Sequence, residues 1–122
     1  MSDLDDLQGK WTVALLELDG SPIPASRIGG AHIVLAGDQF ISTGMGATYE
    51  GTIELDTTTS PKTLKMIFSE GPERGNVNHG IYVLDDDTWT ICLAINGGPA
   101  PRLFSTTENS NYALEILTRQ GT

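Results

Sequence analysis

The chain has 122 residues, the size of one domain, and its 39% of hydrophobic and 19% of charged residues are typical of a folded globular protein. Lys and Arg number 7 against 16 Asp and Glu, and the resulting net charge of −9 repels phosphate backbones and anionic lipid surfaces. No apolar run approaches the roughly 18 residues with which a helix spans a bilayer. We therefore expect one domain over residues 1–122, with no nucleic-acid partner and no membrane insertion.

The N-terminal sequence, MSDLDDLQGK, is acidic and contains no apolar stretch, so it is not a secretory signal. We expect a cytoplasmic location, unless a leader peptide has been removed. Ser2 can cap a short helical turn through Asp3–Leu7, because its hydroxyl can accept a hydrogen bond from a free backbone N–H. The acidic residues of this turn also interact favourably with the helix dipole.

The rest of the chain consists of short alternating runs separated by Gly, Pro, Asn and Asp, the pattern of strands joined by turns. Residues 36–38 (AGD) and 85–87 (DDD) fit hairpin turns, and residues 22–29 fit one turn of helix. The glycine-rich stretch GMGATYEG at 44–51 is typical of a bulged strand or a sharp corner. The candidate strands are 10–18, 31–36, 39–44, 47–55, 62–69, 76–84, 87–95, 102–107 and 111–119.

Short strands joined by short loops indicate a meander, and a long meander closes on itself because closure removes its exposed edges. A β-sandwich is the competing fold, but its Greek-key links need long crossovers, and the sequence indicates none. We predict an all-β fold: an antiparallel up-and-down β-barrel of about eight strands with a short N-terminal helical turn.

Residues 7–11 read LQGKW, a Gly-x-Trp at the start of the first candidate strand. A helical turn followed by this motif resembles the start of a lipocalin-type barrel, in which the Trp closes one end and an Arg of the last strand packs across its ring. Arg119 in LEILTRQ matches that position. The resemblance implies that Arg119 stacks on Trp11 and that Gly9 allows close backbone approach. The alternative is an ordinary core Trp and an ordinary surface Arg.

Almost the whole chain is similar to a family of small bacterial domains of unknown function, common in planctomycetes and expected to be lipocalin-like. The family implies a barrel but no established chemistry, so no catalytic residue follows from it. One departure is the turn at 85–87, where the family pattern has a Gly near Asp86, although Asp is compatible with a turn. The matching stretches are LQGKW, LDGSPIP, LAGDQF, YEGTIELD, SPKTLKMIFSEGPERG, GIYVLDDDTWTICLA and PRLFST.

Few residues suggest catalysis or metal binding. The two histidines, His32 and His79, lack the close spacing of zinc ligands, so we expect no metal and no cofactor. Nucleophile motifs such as GxSxG are absent, and Cys92, the single cysteine, lies in TWTICLAI, where buried packing is expected. In NVNHGIYVL, His79 shares an apolar alternating face with Ile81 and the valines at 77 and 83, which predicts that it points into the barrel. There it is either a hydrogen-bonded core residue or the candidate catalytic base.

The apolar faces of the other strands must also turn toward a core or a cavity. A barrel of about eight strands is either filled by side chains or leaves room for one small ligand. We predict binding of a small, mainly apolar molecule in the barrel without chemistry, with Tyr49 and His79 as polar anchors. The alternatives are a small isomerase, cyclase or lyase-type enzyme that uses His79, or an interaction module with a filled core and a protein partner. The predicted ligand-binding residues are Tyr49, Met66, Phe68, His79, Ile81 and Trp89.

Overall fold

The structure, a computed structural model, describes residues 2–44, 46–95 and 97–119. The helices in these ranges are α1 (Asp3–Asp6) and α2 (Ala25–Ile28), and neither is long and apolar enough to cross a membrane. The strands are β1 (Gly9–Leu18), β2 (Ser21–Pro22), β3 (His32–Ala36), β4 (Gln39–Gly44), β5 (Ala47–Asp56), β6 (Lys62–Glu70), β7 (Val77–Asp85), β8 (Thr88–Ala94) and β9 (Tyr112–Arg119).

The strands form a closed antiparallel barrel. Strands β1 and β3 to β9 are neighbours in chain order, and β9 closes the barrel by pairing back with β1. The two-residue β2 pairs with the end of β1 and extends it as a short hairpin. The predicted all-β, up-and-down barrel of eight strands with a short N-terminal helix is confirmed.

The register of the closing strands determines which side chains face the interior. Trp11 of β1 lies opposite Arg119 of β9, and Leu16 lies opposite Glu115. A bulge after Val13 shifts the alternation of β1 by one residue, so that Trp11 and Leu16 both point inward. Because opposite residues in an antiparallel pair share a face, Arg119 and Glu115 lie on the inner face of β9.

One end of the barrel, which we call the closed end, is covered by α1. The indole N–H of Trp11 donates to the carbonyl oxygen of Leu7 at 2.9 Å. The guanidinium of Arg119 lies over the indole, with Cζ 4.3 Å from the ring centroid, and donates to the backbone carbonyls of Asp6 and Gln8. The contact between Trp11 and Arg119 that the sequence predicts is therefore present, and it supplies partners for free helical carbonyls.

A carboxylate ties α1 to the barrel wall at the closed end. Asp3 accepts hydrogen bonds from Nζ of Lys62 at 2.9 Å and from the hydroxyl of Tyr82 at 2.8 Å. The bonds from Lys62 and Tyr82 lower the pKa of Asp3 below its ordinary value. Ser2 caps the helix as predicted, since its hydroxyl accepts from the backbone N–H of Asp5 at 3.2 Å.

The reason that the sequence suggests for Gly9 is wrong. A Cβ at Gly9 would meet no atom within 4 Å, so close approach does not require this glycine. The backbone conformation requires glycine here, because residues with a side chain rarely adopt a φ of +108°. Close approach occurs instead at Gly51, where a Cβ would collide with the carbonyl oxygen of Ile67 and the register of β5 and β6 shifts. The predicted corner at 44–51, of which residue 45 lies outside the described residues, therefore contains a bulge.

The candidate strand at 102–107 is wrong, because these residues belong to the connection between β8 and β9, which is irregular at residue 95 and over residues 97–111. The sequence did not predict this long link. Polar bonds hold its described part against the outside of the barrel: the hydroxyl of Thr106 donates to the carboxylate of Glu17 and accepts from the backbone N–H of Gly20 at 2.8 Å.

The connection encloses a small apolar layer on the outside of the barrel, which we call the outer layer (Ile81, Cys92 and Ala94). Ile81 and Cys92 are paired across β7 and β8, and all three residues are at most 3% exposed although they lie on the outer face. The thiol of Cys92 contacts the carbonyl oxygen of Ser105 at 3.6 Å, which places the connection over this layer. Burial raises the pKa of the Cys92 thiol, as expected for a packing residue.

Candidate functional site

The interior is unfilled at the end of the barrel opposite α1, which we call the open end. A cavity of about 270 Å³ lies there, close to the lower limit of roughly 300 Å³ for common ligand pockets. It is formed by the ends of the strands that lie farthest from α1. Its lining residues are Val13, Leu16, Leu18, Ala31, Ile33, Ser42, Thr43, Gly44, Tyr49, Met66, Phe68, Glu73, Leu93, Ile95, Ala113 and Glu115.

Most of the cavity wall is apolar, and its aromatic part comes from β5 and β6. The rings of Tyr49 and Phe68 pack edge to face with centroids 6.0 Å apart, and Phe68 packs in the same way on Phe40 at 5.3 Å. Met66 lies on the same inner face of β6 as Phe68 and adds a flexible thioether. The wall therefore combines rings held by their neighbours with one adaptable side chain.

Glu115 brings a carboxyl group into this apolar wall. The residue lies opposite Leu16 of β1 and Ile91 of β8 on the inner face. Its side chain is half-buried, because the cavity admits solvent. Burial raises the pKa of Glu115 from its ordinary value of 4.5 to about 7. Among the residues that the structure describes, none forms a hydrogen bond or ion pair with this carboxyl group.

Tyr49 and Glu73 add two further polar groups to the cavity. Burial, and then the charges of Glu73 and Glu115, raise the pKa of the Tyr49 phenol, so that it remains a hydrogen-bond donor at physiological pH. Glu73 lies in the turn between β6 and β7. This turn is closed by Asn76, whose backbone N–H donates to the Glu73 carbonyl and whose amide donates to the Glu73 carboxylate, both at 2.9 Å.

Three of the predicted ligand-binding residues, Tyr49, Met66 and Phe68, lie together in the cavity wall. Trp89 also faces the interior, but it lies deeper, where its ring packs edge-on against Trp11 with centroids 5.6 Å apart. Trp89 is therefore part of the closed-end core and does not line the cavity. A ligand-binding role for the three wall residues stays a prediction.

His79 and Ile81 face outward, and the inward orientation predicted for them is wrong. The register of β6 and β7 pairs His79 with Lys65 and pairs Asn78 with Met66. Since Met66 lines the cavity and paired residues share a face, Asn78 occupies the inner position and His79 the outer one. The outer face of β7 is apolar because it carries Ile81, which is buried in the outer layer, and two exposed valines, Val77 and Val83. These three residues produced the misleading alternation. His79 does not reach the cavity.

Two buried donors in the interior have no hydrogen-bond partner among the described residues: the indole N–H of Trp89 and the side-chain amide N–H of Asn78. The amide oxygen of Asn78 is satisfied, because it accepts from the backbone N–H of Gly97 at 2.9 Å. Neither residue lines the cavity. A buried donor without a hydrogen bond reduces stability, so both groups lower the free energy of unfolding.

Sequence reasoning missed Glu115, although the sequence contains a signal for it. If Arg119 packs on Trp11 at the barrel end, period-two alternation places residues 117, 115 and 113 on the same inner face. The stacked pair therefore predicts that Glu115 is an interior carboxylate. The adjacent apolar residues Leu114 and Ile116 favour the opposite face, which is why hydrophobicity alone misleads here.

The site has to be interpreted from its own geometry. Comparison of the chain with protein-family models, with curated proteins and with solved structures returns no match. Within the described ranges, no group of three His, Cys, Asp or Glu side chains is placed to hold a metal ion. The cavity instead offers an apolar volume, two carboxylates and a phenol, which is an arrangement suited to holding a small molecule by one polar end.

Proposed function

We propose that this protein binds one small, mainly apolar molecule inside a lipocalin-like barrel, without chemistry. The observation that carries the proposal is the unfilled apolar interior at the open end. The closed end is packed, with Trp11 and Trp89 fully buried, yet about 270 Å³ remains empty at the other end of the same barrel. The side chains of a small barrel can fill its interior, so an open cavity favours a ligand over the interaction module with a filled core.

A ligand of this cavity should be small and have one polar end. The volume accommodates roughly an aromatic ring with a short chain, and the Tyr49, Met66 and Phe68 side chains offer it apolar contacts. The cavity has few polar groups, and they lie among apolar side chains. They would therefore fix the orientation of a ligand, while most of its contacts would be apolar. The lipocalin-like start at LQGKW and the stacking of Arg119 on Trp11 support the same class of binding protein.

The test is a titration of 2-phenylethanol, a neutral molecule of suitable size, followed by the methyl resonance of Met66. Methionine methyl groups labelled with ¹³C report local contacts, and that of Met66 belongs to the cavity wall. We expect a saturable shift of this resonance, assigned through Met66→Leu. The tryptophans are poor reporters because neither of them lines the cavity.

Two alanines supply a matched pair of variants. Ala113 lines the cavity, so Ala113→Leu should fill it and abolish the shift, whereas Ala36→Leu adds the same atoms at an exposed hairpin position and should leave binding unchanged. A Met66 resonance that does not respond, or that responds equally in Ala113→Leu, would contradict the proposal. Native mass spectrometry of the protein purified from its own source would then identify a retained molecule.

Acid–base catalysis is a second candidate function, favoured by one observation. His79 lies outside the cavity, but the cavity contains a carboxyl group, Glu115, with a pKa of about 7, which suits a proton donor or acceptor at neutral pH. Exchange of a carbon-bound hydrogen of a bound molecule for deuterium, present in the wild type and lost in Glu115→Gln, would support this candidate over simple binding.

A further inference from the structure

We infer that the cavity selects a small aromatic or aliphatic amine, whose ammonium group binds to the Glu115 carboxylate while its apolar part contacts the Tyr49 and Phe68 rings. This inference rests on the proposed binding function and adds to it the chemical class of the ligand. It follows from the sign of the charges around the cavity, from the unpartnered carboxylate and from the aromatic wall.

The charged side chains that line the cavity are both negative. Glu73 and Glu115 are the acids, and no Lys, Arg or His is among the lining residues. A ligand carboxylate would therefore meet two like charges in a region of low dielectric constant, which is unfavourable. An ammonium group would instead form charge-assisted hydrogen bonds, which are shorter and stronger than neutral ones.

Three of the four Lys and Arg residues on the barrel strands are engaged elsewhere, and the fourth, Lys10, is exposed on the outer face. Lys62 pairs with Asp3 at the closed end, Arg119 bridges to Asp87 at 3.2 Å beside the same end, and Lys65 approaches Glu54 on the outer face. Glu115 thus remains without a counter-charge from the described residues. A half-buried carboxylate among apolar side chains loses part of its hydration, and a cationic ligand would compensate for that loss.

The aromatic wall favours the same ligand class. Tyr49 and Phe68 both line the cavity that contains Glu115, and their edge-to-face packing fixes the orientation of both rings. A cation close to an aromatic ring face gains electrostatic attraction, and more so when water is excluded. The Tyr49 phenol can in addition accept a hydrogen bond from the ligand through its oxygen.

The protonation state of Glu115 makes the selectivity depend on pH. The titratable groups that face it are Tyr49 from β5 and Glu73 from the turn after β6, while β1 and β8 present the apolar side chains of Leu16 and Ile91. An alkylamine remains protonated from pH 5.5 to 8, as lysine does. Amine binding should therefore weaken as the pH falls through about 7 and Glu115 gains its proton.

The experiment compares three ligands of one shape by isothermal titration calorimetry at pH 8: 2-phenylethylamine, 2-phenylethanol and 3-phenylpropanoate. We expect the amine to bind at least about tenfold more tightly than the alcohol, and the carboxylate to bind most weakly. Glu115→Gln should remove the amine preference but change alcohol binding by less than about twofold. Glu54→Gln removes the same charge from the exposed outer face of β5 and should preserve the preference. At pH 5.5 the wild type should lose about tenfold in amine affinity.

The outcomes separate this inference from the binding function. If none of the three compounds binds, both are overturned. If the alcohol or the carboxylate binds as tightly as the amine, or if the amine preference survives Glu115→Gln, the inference fails and the binding function stands. Should Glu115→Gln not fold, as judged by circular dichroism, the wild-type pH dependence decides, because an amine affinity unchanged from pH 8 to 5.5 would overturn the inference by itself.

Discussion

The two ends of the barrel treat their polar groups in opposite ways. At the closed end, the indole of Trp11, the guanidinium of Arg119 and the carboxylate of Asp3 all have partners at hydrogen-bond distance, and only the deeper indole N–H of Trp89 has none among the described residues. At the open end, the carboxyl group of Glu115 has none among the described residues, and side chains do not fill the surrounding volume. The same wall of strands connects both ends, so the difference arises from the side chains and not from the fold.

This difference indicates which end stabilises the fold and which is kept for a ligand. Satisfied, closely packed groups contribute to stability, whereas an unpartnered, partly desolvated carboxyl group lowers it. Proteins retain such local costs mainly where function requires them. Substitutions at the two ends should therefore change stability in opposite directions, and three measurements test this in order of decreasing effect.

The largest effect is expected at the closed end, where Trp11→Ala removes a fully buried indole and leaves the Arg119 guanidinium without its stacking partner. The free energy of unfolding should fall by about 3–5 kcal/mol, the usual cost of truncating a large core aromatic residue. Urea denaturation provides the measurement. Leu103→Ala is the control, since Leu103 is 72% exposed and its truncation should change stability by less than about 0.5 kcal/mol. Comparable values for both variants would mean that the closed end is not the stabilising region.

The closed end was also the part of the molecule that the sequence predicted best. A Gly-x-Trp after a helical turn and an Arg in the last strand resemble the corresponding positions of a lipocalin-type barrel, and this resemblance implied their contact. The orientation of β7 could not be predicted in this way. Its outer face carries Ile81, which the described part of the connection covers, and two exposed valines, so this face is as apolar as an inner one. Local alternation cannot reveal a cover that comes from a distant part of the chain.

The open end was predicted only in part, for a related reason. The sequence neighbours of Tyr49, Met66 and Phe68 are polar except for Ile67, so their orientation was readable from alternation. Glu115 violates the rule that charged residues face solvent, and only the register set by Trp11 and Arg119 indicates its true position. The orientation of a residue that breaks the hydrophobic pattern can be predicted when a long-range contact fixes the register of its strand.

The second effect has the opposite sign: Glu115→Gln should stabilise the protein at pH 8. The pKa of Glu115 is raised to about 7 in the folded protein, so between its ordinary value of 4.5 and about 7 the folded state holds a proton that the unfolded state has lost. Wild-type stability therefore falls as the pH rises through this window, by at most about 3 kcal/mol, and solvent in the cavity reduces this figure.

The measurement is urea denaturation of the wild type and Glu115→Gln at pH 4.5, 6 and 8. The two proteins should be equally stable at the lowest pH and should diverge as the pH rises, with the variant the more stable. Glu54→Gln, on the exposed outer face, should show no such divergence. Parallel curves for the wild type and Glu115→Gln would show that the carboxyl group is solvated, and the contrast between the two ends would then disappear.

The smallest effect concerns Asp3, whose bonds to Lys62 and Tyr82 hold α1 on the closed end. These bonds lower its pKa below the ordinary value of 3.8, so the folded state favours the charged form, and the resulting stability is present above pH 3.8 and lost as the pH falls below it. The Lys62 side chain is 42% exposed, so solvent screens the pair, and Asp3→Asn should cost only about 1 kcal/mol at pH 7. Urea denaturation should show this difference shrinking with acid and with added salt. Asp6→Asn, an exposed position in the same helix, should leave stability almost unchanged. A pH dependence at Asp3 with the same sign as that at Glu115 would contradict the comparison, because a carboxylate with partners and a carboxylate without them must titrate in opposite directions.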